Sequence, residues 1–184
     1  MNLPNKSTLL RVCMIPLLVI FAKMGSFAMQ CVAVGIYAVA CITDALDGHI
    51  ARSRNLVTNF GKFMDPIADK LLVMSALIVL TAQGRLPDWV CILMLGREFL
   101  VSGFRLVAVE SGRVIAAGPL GKLKTVFQML ATIALMLLVP VEGEALLGQA
   151  GVTVANILMY VALALTVVSG ADYLWRNRDC IKDM

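Results

Sequence analysis

Six runs of apolar residues, at roughly 8–23, 29–52, 63–82, 89–109, 120–140 and 152–175, take up most of this chain. Each approaches or reaches the roughly 20 residues that a helix needs to cross a bilayer's hydrocarbon layer. Inside that layer the backbone must satisfy its own hydrogen bonds, and for runs of this length and composition the helix is the solution. A soluble chain of 184 residues would need more surface charge than 60% hydrophobic and 15% charged residues can supply. The sequence therefore predicts an all-α integral membrane protein with six transmembrane helices, forming one domain over 1–184. Glycine, proline and charge cluster between the runs, at 23–26, 83–88, 112–119 and 142–151. Lys6 and Arg11 preceding the apolar stretch that ends near Ala22, with small Ser26 and Ala28 behind it, also fit a cleaved leader. Lys23 interrupts that site and the remainder is itself a multi-span protein, so a retained first helix is expected.

Lysine and arginine set the orientation. With six spans both ends share one side, which collects Lys6, Arg11, Arg52, Arg54, Lys62, Lys70, Arg113, Lys122, Lys124, Arg176, Arg178 and Lys182. The other side holds Lys23 and Arg85, with the acidic Glu142 and Glu144. Basic residues stay on the cytoplasmic side, so the termini and the loops at 52–62 and 112–119 are expected there. For a bacterial chain that means a multi-pass protein of the cytoplasmic (inner) membrane. The net charge of +4 is small and gives no support for a nucleic-acid partner. Cys13, Cys31, Cys41, Cys91 and Cys180 form no CxxC pair and read as packing residues, and lone His49 has no partner histidine at metal-ligand spacing.

Charge is costly in such segments, which makes the stretch from Asp44 to Asp69 informative. Asp44 and Asp47 lie three residues apart near the cytoplasmic end of the second run, and Asp65 and Asp69 lie four apart at the start of the third. Both spacings put two carboxylates on one helical face. A short connection makes the two helices antiparallel neighbours, so all four carboxylates can converge on one cavity. The helical rise places Asp44 roughly 12 Å inward of Arg52. Four like charges in a small space would repel unless cations neutralised them. Arg52 and Lys70 offset two, and hard divalent ions held by oxygens are a better solution. Gly48, Ala51 and Gly61 leave room for a bulky ligand against the backbone. Asp65 ahead of Pro66 also has the look of a helix cap, but Asp44 and Asp47 have no structural need for charge.

The arrangement Asp44-x-x-Asp47-Gly48-x-x-Ala51-Arg52, eight residues, Gly61-x-x-x-Asp65-x-x-x-Asp69 resembles the signature of the CDP-alcohol phosphatidyltransferases at every specified position. That resemblance implies displacement of CMP from a CDP-linked lipid by an alcohol hydroxyl. It implies that Asp44, Asp47, Asp65 and Asp69 hold two divalent cations, Mg2+ or Mn2+, in a polar cavity open to the cytoplasmic side. Asp69 would also be the general base, while Gly48, Ala51, Arg52 and Gly61 would line the cytidine diphosphate pocket. A homodimer is implied as well.

Arg97 and Arg105 point to the alcohol. Two arginines inside an apolar run are as anomalous as the aspartates. Eight residues apart, they differ by about 80° around a helix and can face one pocket. Lys122 and Lys124 open the fifth run from the same side. Cations gathered at one cavity suit an acceptor that carries its own phosphate. Gly96-Arg97-Glu98, Arg105, Gly121-Lys122-Leu123-Lys124-Thr125 and the opening Asn2-Leu3-Pro4-Asn5 resemble the subgroup that makes phosphatidylglycerol phosphate. There the donor is CDP-diacylglycerol, the acceptor is glycerol 3-phosphate, and positions matching Arg97, Arg105 and Lys122 bind the acceptor's phosphate. Glu98 could equally pair with Arg97 or Arg105, and Lys124 could extend toward lipid headgroups. The competing expectations are a sibling enzyme that uses inositol, serine or phosphatidylglycerol, and an ion or proton transporter relaying protons along the aspartates.

Overall fold

A computed structural model describes residues 3–53, 59–110, 118–139 and 147–177. Within those stretches the side chains of 3–8, 44–53, 59–63, 65–66 and 109–110 lie outside the description. The described chain is helical: α1 (Leu3–Lys23), α2 (Phe27–Ser53), α3 (Asn59–Ala82), α4 (Asp88–Glu110), α5 (Pro119–Leu138) and α6 (Gly148–Arg176). Each apolar run became one helix. Turns at Gly25 and Gly84, both with φ near +70°, end α1 and α3, because glycine alone adopts that conformation without a Cβ clash.

One boundary differs from the sequence expectation. α3 begins at Asn59, so Asp65 and Pro66 sit inside the helix rather than at its cap. A proline near the beginning removes a single N–H from the ladder, too little to end a helix whose later turns are apolar and packed.

α5 packs most extensively on α6, α1 packs on both α2 and α3, and α4 closes against α6. The core contains small residues at the crossings, among them Ala33, Ala40, Ala76, Ala131, Ala155 and Ala162. Larger Leu18, Tyr37, Leu77, Met94 and Leu135 fill the space between. Small residues let helix backbones approach closely where the surroundings supply no hydrophobic drive. The outer surface is apolar too: Leu10, Ile20, Ile42, Ile78, Ile92, Phe99, Leu106 and Trp175 are exposed. A soluble monomer does not present so much contiguous apolar surface, whereas lipid tails cover it at no cost. Among the described residues, α5 and α6 are long and apolar enough to cross a membrane, and Phe27–Thr43 is a shorter apolar stretch. The chain is a membrane protein.

Candidate active site

Two adjoining cavities of about 210 Å³ each open in the bundle, the first between α2, α3, α4 and α5 and the second between α3, α4, α5 and α6. Asp69, Lys70, Glu98 and Thr125 line both and form the wall between them. The first is largely apolar, with Val73, Met74, Leu95 and Met129 beside Cys41, Lys124 and Gln128. The second is polar and adds Arg97, Ser102, Arg105, Ser169, Asp172 and Tyr173.

The polar cavity is built by α4 facing α6. From α4, Arg97 Nη2 donates to Ser169 Oγ on α6 at 2.9 Å, and Nη1 lies 3.3 Å from Glu98 Oε1. Its aliphatic stem rests on Gly170, where an added Cβ would come within 3.0 Å of Arg97 Cγ. Glycine there lets the guanidinium lie across α6 instead of extending to lipid. Eight residues further on, Arg105 sits with its guanidinium carbon 5.9 Å from the centre of the Tyr173 ring, within cation–π range. Phe104 also meets that ring edge-to-face, with centroids 5.9 Å apart.

Glu98 is the hub. It accepts from Lys124 Nζ and pairs with Arg97, so one carboxylate ties α4 to α5 and orients two cations. Lys124 is buried, not extended toward headgroups: its side chain is 4% exposed, against 16% for Arg97 and 18% for Glu98. Lys70 Nζ on α3 donates to Ser102 Oγ, which donates in turn to the Glu98 carbonyl at 2.6 Å. Cations buried in an apolar bundle are retained only with such partners. The cavity wall thus offers Lys70, Arg97 and Arg105 as donors, opposed by Asp69, Glu98 and Asp172.

Asp69 is exposed at the junction, in the walls of both cavities. Asp65 precedes it by one turn of α3, while Asp44, Asp47, Gly48, Ala51 and Arg52 belong to the last turns of α2 and Gly61 to the first turn of α3. The side chains of those seven lie outside the described residues. Cys41, however, is one turn ahead of Asp44 on α2 and shares the apolar cavity with Asp69. The register of α2 therefore carries its aspartates toward the same end of the bundle as Asp69. Lys122 is exposed and lines neither cavity, although its neighbour Gly121 does. Ser102, Ser169, Asp172 and Tyr173 were not read as site residues from the sequence, and Lys70 was read only as a counter-charge to the aspartates. Asp172, a carboxylate inside an apolar run, was the signal that could have found α6.

Residues 1–168 match the family model for CDP-alcohol phosphatidyltransferase. The chain is 41% identical to a Bacillus subtilis protein named CDP-diacylglycerol–glycerol-3-phosphate 3-phosphatidyltransferase, covering 98% of this chain and 97% of that one. It is 46% identical to a Mycobacterium tuberculosis protein named probable phosphatidylglycerophosphate synthase, over 95% of this chain and 81% of the other. A Rickettsia typhi protein with the same name as the Bacillus one is 38% identical over 94% of each chain. Aspartates at the signature spacing, two joined cavities meeting at the last of them, and a match along nearly the full length agree: the chain belongs to the CDP-alcohol phosphatidyltransferase family.

Proposed function

We propose that this membrane enzyme transfers the phosphatidyl group of CDP-diacylglycerol to glycerol 3-phosphate, giving phosphatidylglycerol phosphate and CMP. The observation that carries the reading is the junction of the two cavities at Asp69. An apolar compartment suits a lipid-linked donor, a cation-lined one suits a phosphorylated acceptor, and a carboxylate stands between them. The names of the relatives point to the same donor and acceptor.

In this reading the acceptor's phosphate is held by Arg97, Arg105 and Lys70, whose guanidinium forks and ammonium match phosphate oxygens. Asp69 takes the proton from the attacking hydroxyl. The hydroxyl oxygen forms a bond to the lipid-side phosphorus, the bond from that phosphorus to the CMP oxygen breaks, and CMP leaves with the electron pair. Glu98 orients Arg97 and Lys124, and Gly48, Ala51, Arg52 and Gly61 line the pocket for the cytidine diphosphate. Lys122, exposed beside the cavity-lining Gly121, is a further cation for that phosphate.

The donor set fits divalent cations: four carboxylates on two helices, with oxygens only, match the preference of Mg2+ or Mn2+. Asp44, Asp47, Asp65 and Asp69 would hold two such ions. When bound, they supply positive charge to the phosphoryl oxygens and the departing CMP. We further infer that all six helices span the inner membrane, that both termini face the cytoplasm, and that the enzyme is a homodimer. The lysine and arginine distribution supports that orientation.

Arg97→Ala tests the acceptor assignment. Removing a half-buried cation from a phosphate should raise the KM for glycerol 3-phosphate about 100-fold and leave the KM for CDP-diacylglycerol within about twofold. An unchanged acceptor KM would refute it. A transporter reading predicts no CMP release at all.

A further inference from the structure

The phosphate-binding cations leave one group in the polar cavity without a task. Tyr173 of α6 lines the cavity and is 8% exposed. Its ring is held by two contacts, with Phe104 and with the Arg105 guanidinium. Its hydroxyl is buried and has no hydrogen-bond partner among the described residues. A buried phenol that keeps an unpaired hydroxyl costs stability that phenylalanine would avoid, so the oxygen needs a partner that arrives from elsewhere. Asp172, next to it on α6, lines the same cavity and adds a carboxylate acceptor, its Oδ1 taking 2.7 Å from Arg176 Nε.

An acidic group serves a phosphate poorly, whereas an alcohol hydroxyl donates and accepts at once. We propose that Tyr173, with Asp172 beside it, binds the secondary hydroxyl of the acceptor's glycerol unit and so selects a polyol phosphate over a simple alkyl phosphate. This rests on the acceptor reading given above and extends it from the phosphate to the carbon skeleton. The geometry divides the labour. Arg97, Arg105 and Lys70 supply donors for the phosphate, Asp69 meets the attacking hydroxyl at the donor junction, and α6 reads the hydroxyl in between.

The test is a cross between one atom of the protein and one of the substrate. Tyr173→Phe keeps the ring, its edge contact and the cation–π partner, and removes only the oxygen. The second acceptor is 3-hydroxypropyl phosphate, which keeps the phosphate and the primary hydroxyl but lacks the secondary one. CMP release is measured for both acceptors with both proteins in detergent-lipid micelles containing CDP-diacylglycerol. The wild-type protein should prefer glycerol 3-phosphate by about tenfold in kcat/KM, as expected for one satisfied buried hydrogen bond. Tyr173→Phe should lose that preference through the acceptor KM, at unchanged donor KM and with a melting temperature equal to or above wild type.

A retained preference, or an equal loss on both acceptors, overturns the proposal. The second result would put the hydroxyl on the phosphate instead. Failure of wild type to use glycerol 3-phosphate would sink the acceptor reading itself, so the two failures are distinguishable.

Discussion

Arg85 and Arg97 both lie within this bundle, the first buried and the second half-buried, and their surroundings differ. Arg85, between α3 and α4, is 6% exposed and meets neutral groups. Its Nη1 donates to Gln30 Oε1 at 3.0 Å and Gln83 Oε1 at 3.1 Å, and its Nη2 to the Met136 carbonyl at 2.8 Å. Gln30 and Gln83 each donate to the Ala22 carbonyl, so one guanidinium fastens the ends of α1, α3 and α5 to the start of α2. Neither cavity touches it. Arg97 instead pairs with a carboxylate, lies across a glycine and forms a cavity wall beside other cations and acids. Buried charge alone does not mark a functional site. Charge that faces a cavity and is balanced by opposing charge does, because only there can an incoming anion exchange places with an existing partner.

The sharpest way to break this contrast lies at the cavity junction. Asp69→Asn should lower CMP release about 1,000-fold, in the range for loss of a general base, while the protein still melts near the wild-type temperature. A residual rate within tenfold of wild type would remove Asp69 from the chemistry. Arg85→Met should do the reverse. Two glutamine oxygens and a carbonyl lose their donor, which costs about 3 kcal/mol of stability, and surviving protein should keep both KM values. Changed acceptor affinity in that variant would dissolve the distinction between fastener and site.

Burial pushes the Arg85 guanidinium down to about 10. The folded state therefore releases this proton before the unfolded state does, so stability rises only as the pH climbs through that value, and nothing changes below it. The difference in melting temperature between wild type and Arg85→Met should be the same at pH 6 and pH 9. The smallest effect is expected at Gly170→Ala, where a Cβ 3.0 Å from Arg97 Cγ should displace the guanidinium. The acceptor KM should rise about tenfold, by misplacement of a binding group rather than its removal.

Much of this fold and site is legible in the sequence itself. Continuous apolar runs have only one way to hide their backbone in lipid, so all six helices could be drawn from the sequence. The α3 start was misread because Asp65-Pro66 is a good local cap signal, and local signals yield to the packing of a long helix. Arg97, Arg105 and the aspartates stood out because charge in an apolar run demands explanation. Lys124 was read both ways, as a cavity cation or as a lysine reaching for headgroups; the Glu98 carboxylate on another helix draws it inward. Ser169, Gly170 and Tyr173 were silent for a related reason. Serine, glycine and tyrosine are ordinary in membrane helices, and only the crossing of α4 over α6 gives them a role.

The central claim is that the junction joins a lipid donor to a phosphorylated polyol. It is tested most directly by CMP release from CDP-diacylglycerol with Mg2+ or Mn2+, comparing glycerol 3-phosphate, glycerol, inositol, serine and phosphatidylglycerol as acceptors. The account predicts CMP formation that depends on glycerol 3-phosphate and is at least about 100-fold slower with the acceptors lacking a terminal phosphate. Comparable rates with glycerol, inositol or serine, or no CMP with any acceptor, would contradict it.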